Sequence, residues 1–126
     1  MIIWAGVLAV IAVSMGALGA HAIKPLLTSS SVESYLTGAR YNMYHAIALL
    51  ALSASSKHLS KKWVNITAYC FVVGTLLFSG SIYLLSTSTI TGLTFQPFLG
   101  PITPVGGLIL ITGWISVTIG AIKHTK

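Results

Sequence analysis

Arg40, Tyr41, Asn42, Met43, Tyr44 and His45 stand consecutively in an otherwise apolar stretch and form the densest polar constellation in the chain. An imidazole that titrates near neutral pH, beside a guanidinium and phenols, has the residue types for proton transfer, and together with His21 it supplies nitrogens for a metal or a haem iron. Glu33, Ser79, Ser81 and Tyr83 join them, so the candidate polar cluster is His21, Glu33, Arg40, Tyr41, Tyr44, His45, Ser79, Ser81 and Tyr83. Spacing argues against most of that chemistry. There is no His-x-x-His or Cys-x-x-Cys pair, Glu33 is the lone acid, and no nucleophile, base and orienting group stand at a readable spacing. The expectation is no catalytic, cofactor-binding or metal residue and no cofactor. Haem ligation by His21 and His45, or association with a quinone, is the rival chemical reading.

The elements that must position these residues are helices in lipid. The chain is 55% hydrophobic and 6% charged with a mean hydropathy of +0.90, against roughly 25% charge in soluble domains. Four apolar stretches, about 2–22, 31–56, 63–86 and 104–122, give an all-α fold class, a four-helix transmembrane bundle in one integral membrane domain covering residues 1–126. The second stretch is the awkward one. Its uncharged part, from Tyr41 to Ser56, is short for a span, so its helix is expected to begin at Ser30, with Ser30 and Glu33 as a capping box. Arg40 then lies inside the helix, where a cation costs roughly 2.5–3.5 kcal/mol on insertion scales and needs a local partner.

At 100° per residue, Glu33, Thr37, Arg40, Tyr41, Tyr44 and His45 fall within an arc of about 140°, opposite Leu36, Met43, Ile47 and Leu50. That polar face is expected to look into the bundle. A direct Glu33–Arg40 pair would have to bridge about 10 Å of helix rise, so backbone carbonyls of the first stretch, the hydroxyls of Ser79, Ser81 or Tyr83, or a lipid phosphate are the expected partners of Arg40. His21 is expected to meet His45 or Tyr44. The result is a hydrogen-bonded clasp joining the first three helices.

Lys57, Lys61 and Lys62 fall between the second and third stretches and Lys123 and Lys126 follow the fourth, while Lys24 and Arg40 lie on the other side. This asymmetry places both termini in the cytoplasm of a cell membrane. The lysine clusters lack interleaved stacking aromatics, which excludes nucleic acid and favours anionic leaflet lipids. Ala20-His21-Ala22 imitates a signal-peptidase site, but the apolar run before it has no cationic start. Cys70 is the single cysteine and reads as an inert packing residue. The uncharged connection from Thr87 to Thr103, with Phe95, Pro97, Phe98, Gly100 and Pro101, reads as a cap on the outer interface. Small residues at helical spacing mark contact faces: Gly16 and Gly19 in the first stretch, Gly74 in the third, and Gly106, Gly113 and Gly120 at heptad intervals in the fourth.

Four ordered motifs carry a family likeness: Gly16-Ala17-Leu18-Gly19-Ala20-His21, Ala39 through His45, Leu77-Phe78-Ser79-Gly80-Ser81-Ile82-Tyr83, and Gly100-Pro101-Ile102-Thr103-Pro104-Val105-Gly106-Gly107. Together they resemble the small four-span membrane proteins grouped as domain of unknown function 423, relatives of transmembrane protein 256. Asn42 stands where that pattern would have glutamine, and Gly38 where a stronger helix former is usual, which would loosen the helix before Arg40. The resemblance implies a multi-pass membrane protein and no reaction. The expected role is a non-enzymatic scaffold, assembly or membrane-homeostasis factor, with the lipid bilayer and a membrane-protein partner or second copy as partners. A transporter, channel or accessory subunit with a polar path near Arg40, His21 and His45 is the alternative.

Overall fold

In the computed structural model, which describes residues 1–94 and 96–124 apart from the side chains of Gln96 and His124, the chain is helical, with no strand among the described residues. Phe95 and Lys126, used above, lie outside those residues. Helix α1 (Ile2–Ala17) continues into a π-helical turn (Leu18–Ala22) and a 3-10 turn (Lys24–Leu26). Helix α2 is Ser29–Ala54 and α3 is Lys61–Ser86; a 3-10 turn (Ser56–His58) joins them. Two single-turn helices, α4 (Ser88–Thr91) and α5 (Gln96–Leu99), precede α6 (Ile102–His124). The connection from Thr87 is thus partly helical, and Gly92 supplies the left-handed turn (φ 67°) that ends α4.

The helices pack in chain order, α1 on α2, α2 on α3 and α3 on α6. Three stretches, Ile2–Ala22, Lys61–Ser86 and Pro97–Lys123, are long and apolar enough to cross a membrane. Helix α2 is equally long but not apolar enough on the same measure, because the constellation from Arg40 to His45 interrupts it. Its own start also differs from expectation. Thr28, not Ser30, is the N-cap: its hydroxyl oxygen accepts from the Ser31 amide (3.2 Å), while Glu33 is occupied elsewhere.

Helix α1 is apolar all round, yet only Ala5, Leu8 and Ala12 are buried, so most of its side chains face outward as they would toward lipid. Helix α2 buries Tyr35, Gly38, Ala39, Asn42, His45, Ala46, Leu49 and Leu52, a run at three- and four-residue intervals. Ala46, Leu49 and Leu52 of this run join Ala5, Leu8, Val64, Phe71 and Leu110 in the hydrophobic core. The α3–α6 seam is the tightest. A β-carbon on Gly106 would lie 2.5 Å from the Phe78 amide nitrogen, so only glycine lets the backbones come this close. Gly113 sits against Phe71 and Cys70, Gly120 against Trp63, and Gly74 against Leu110. Across the α1–α2 contact, the π turn brings Gly19 under Tyr35 and Leu36, and Gly16 lies 3.9 Å from the Ala39 β-carbon. Gly38 does not loosen α2, which runs unbroken through it; the glycine makes room for Tyr83 and Ile82.

Candidate functional site

The polar face of α2 is rotated from the expected phase. Arg40, Tyr41 and Tyr44 are exposed, whereas Asn42 (2% exposed) and His45 (4%) are buried. The reason is steric as well as polar: Gly38, Ala39 and Ala46 are the small residues that let α1 and α3 approach, and Asn42 and His45 share their side of the helix.

Arg40 pairs directly with Glu33 through Nη2 and Oε1, contrary to expectation, and its Nε reaches the Leu36 carbonyl at 3.4 Å. Seven residues bring a helix almost back to the same azimuth, and the arginine side chain leans toward the N-terminus, so two long side chains close the gap. Both partners are exposed, 50% for Arg40 and 67% for Glu33, so this is a surface ion pair and not an interior clasp. His21 is also exposed. It follows Gly19, which is level with Tyr35, whereas His45 lies ten residues further along α2, about 15 Å by helix rise. The two histidines therefore do not meet, and they cannot ligate one haem iron.

Ser79, Ser81 and Tyr83 go to different neighbours. Ser81 Oγ donates to the Phe78 carbonyl and lies 2.7 Å from Thr103 Oγ1, tying α3 to the start of α6. Tyr83 accepts from Asn42 Nδ2 at 3.4 Å and packs on Tyr35 with ring centroids 4.9 Å apart. Tyr35 in turn donates to the Met15 sulfur at 3.0 Å, so α1, α2 and α3 are linked through Met15, Tyr35, Tyr83 and Asn42. Ser79 is buried with its hydroxyl unpartnered among the described residues, as are Thr67, Thr75 and the Asn42 side-chain carbonyl.

His45 is the centre of the second link. Trp114 Nε1–H points at His45 Nε2 (3.3 Å), and His45 Nδ1 faces the Tyr41 carbonyl (2.8 Å). An indole can only donate and a carbonyl only accept, so the ring carries its proton on Nδ1 and takes the indole hydrogen bond on Nε2. Phe71 closes the cluster, edge-on to His45 at 5.3 Å and 4.9 Å from Trp114. Tyr41 stacks beside His45 and also touches Phe78. Both imidazole nitrogens are thus committed, Nδ1 within α2 and Nε2 to α6, while the Phe71 ring brings α3 into the contact. Among the described residues no three His, Cys, Asp or Glu side chains converge as a metal site.

Asn42, Trp114, Phe71, Tyr35 and Met15 were not among the sequence candidates. The buried three- and four-residue spacing through Tyr35, Gly38, Asn42, His45 and Leu49 was the signal for the first. Nothing in the sequence pairs Trp114 with His45 across 69 residues.

The family described as "Protein of unknown function (DUF423)" matches residues 15–107. The chain is 36% identical over 124 residues to the UPF0382 membrane protein YwdK of Bacillus subtilis, covering 98% of this chain and 96% of that protein. It is 32% identical over 123 residues to the UPF0382 inner membrane protein YgdD of Escherichia coli K12, covering 98% and 89%. A UPF0382 membrane protein of Schizosaccharomyces pombe is 33% identical over 122 residues, covering 94% and 100%. No solved structure matches the chain.

Proposed function

The chain belongs to the DUF423 family of membrane proteins, and from that premise we propose that it is a non-enzymatic helical scaffold of the cell membrane in which α2 is a fourth crossing helix. Its ends lie on opposite sides of the bilayer, and both chain termini face the cytoplasm. The carrying observation is the commitment of His45. The one buried imidazole among the described residues spends both nitrogens on the Tyr41 carbonyl and the Trp114 indole, which leaves it neither a free base nor a ligand. An isolated polar helix face would be expensive in hydrocarbon. Here Asn42 and His45 bond to residues of α3 and α6, so these two polar side chains of α2 find partners inside the bundle while Arg40 and Glu33 neutralise each other near its outer end. The scaffold offers an assembly partner or second copy the exposed apolar faces of α1 and α6.

A second reading, a proton or solute path, draws on the unpartnered atoms Asn42 Oδ1, Thr75 Oγ1 and Ser79 Oγ between α2 and α3. Buried polar groups of this kind commonly hold water. The two readings part in a flux assay. Protein reconstituted into vesicles loaded with a pH-sensitive dye is expected to conduct protons no faster than empty vesicles, and His45→Ala to change thermal stability alone. Proton flux above the empty-vesicle rate that falls in Ser79→Ala or Asn42→Leu would overturn the scaffold reading in favour of the path.

A further inference from the structure

We propose that the groove between α1 and α3 binds an acyl chain of an anionic phospholipid whose phosphate is held by Lys61. The groove is about 440 Å³ and is lined by Met1, Trp4, Leu49, Ala68, Tyr69, Val72, Val73 and Leu76, with Leu49 as its floor. Apart from the Tyr69 hydroxyl and the Trp4 indole N–H, every lining side chain is apolar or a thioether, so the groove suits a hydrocarbon chain better than a polar solute.

Charge identifies the lipid. Lys61 precedes Ala68 by seven residues and Val72 by eleven, so at 100° per residue it lies on the same face of α3 as the groove and about 10 Å above its first residue. Asn65 shares that face one turn below Lys61. Both are exposed, as is Tyr69 (75%) at the groove mouth. A phosphate at Lys61, polar groups of the glycerol region at Asn65 and Tyr69, and hydrocarbon from Ala68 to Leu76 follow the order of a phospholipid read from headgroup to tail. Lys62 and Lys123 flank the Trp63 ring on the neighbouring side (6.0 and 5.3 Å), adding positive charge to the same end of the bundle.

The chain has no acid to answer these cations. Its lone acidic side chain, Glu33, is paired with Arg40 near the opposite end of α2. The countercharge at Lys61 must then come from outside the side chains of this protein, and an anionic leaflet supplies it in the plane where the groove opens. The inference rests on the proposed topology, in which α2 returns across the bilayer and the Lys61 end of α3 lies in the same leaflet as the start of α1.

The test uses the full chain reconstituted in phosphatidylcholine vesicles doped with a brominated-chain lipid, either phosphatidylglycerol or phosphatidylcholine. Trp4 is part of the groove wall, and a Trp4→Phe control isolates its share of the tryptophan fluorescence. The expected result is half-quenching of the Trp4 component at about fivefold less brominated phosphatidylglycerol than brominated phosphatidylcholine, the factor one lysine contributes near an anionic surface. Lys61→Gln should erase that preference, and Ala68→Phe, which fills the groove, should erase it with Lys61 in place. Gel filtration and circular dichroism check that each variant is folded. Equal quenching by the two lipids overturns the proposal, as does a preference that survives Ala68→Phe. A Trp4 component shielded from both lipids also overturns it, since a second copy or another protein helix would then occupy the groove.

Discussion

Removing the Trp114 indole N–H while keeping an aromatic ring isolates the hydrogen bond that ties α6 to α2. In Trp114→Phe the ring still covers Phe71, but His45 Nε2, on a side chain 4% exposed, loses its donor. An orphaned buried acceptor costs about 1–3 kcal/mol in water-soluble cores. Within membranes single inter-helix hydrogen bonds average about 0.6 and reach about 1.7 kcal/mol. The expected loss is therefore about 1 kcal/mol, close to a fivefold change in the folding equilibrium. His45→Phe strands the indole N–H in turn and crowds Phe71, so it should cost more. With both changed, neither polar atom remains and the double variant should be more stable than the sum of the single losses predicts, by about 1 kcal/mol. Reversible unfolding in mixed micelles, titrated with dodecyl sulfate and followed by circular dichroism, measures all four proteins. Additivity within about 0.3 kcal/mol would show that the two residues are not coupled, and the central tie would be refuted.

The ion pair and the glycine seam give sharper contrasts. Arg40→Gln should cost less than about 1 kcal/mol, because the pair is exposed and screened, and the loss should shrink in high salt; a larger, salt-independent loss in the same titration would return Arg40 to the interior. Gly106→Ala should prevent stable folding or lower the melting temperature strongly, since its β-carbon would meet the Phe78 backbone, while Gly80→Ala, with nothing within 4 Å, should be neutral or mildly stabilising. Melting curves that do not separate these two would contradict the close α3–α6 approach. Thr28→Ala should destabilise by about 1 kcal/mol through loss of the N-cap, and Ser30→Ala should be nearly silent; the reverse order in the same assay would restore Ser30 as the cap.

Composition made the helices legible, because apolar runs of this length have few other uses, and the heptad of Gly106, Gly113 and Gly120 announced a close helix contact. The phase of α2 was not legible in the same way. Its wheel carries a polar arc and a small-residue arc that overlap, and the small residues Gly38, Ala39 and Ala46 decide which side the neighbours can approach. A reading that followed charge therefore turned Arg40 inward and missed Asn42. The Glu33–Arg40 pair was discounted on helix rise alone, although two extended side chains reach across seven residues. His45 was identified from its own neighbourhood, but its role depends on Trp114, and no local pattern reports a contact between α2 and α6.

Sided cysteine labelling of α2 tests the fourth crossing most directly. On a Cys70→Ser background, single cysteines at Ser30 and Ala54, both exposed and at opposite ends of α2, would be challenged with a membrane-impermeant maleimide in intact cells and in inverted vesicles. The account predicts that Ser30→Cys reacts only from outside the cell and Ala54→Cys only from the cytoplasmic side. Labelling of both from one side would contradict it, leaving α2 on the membrane surface and the polar ties of Asn42 and His45 without a bilayer to span.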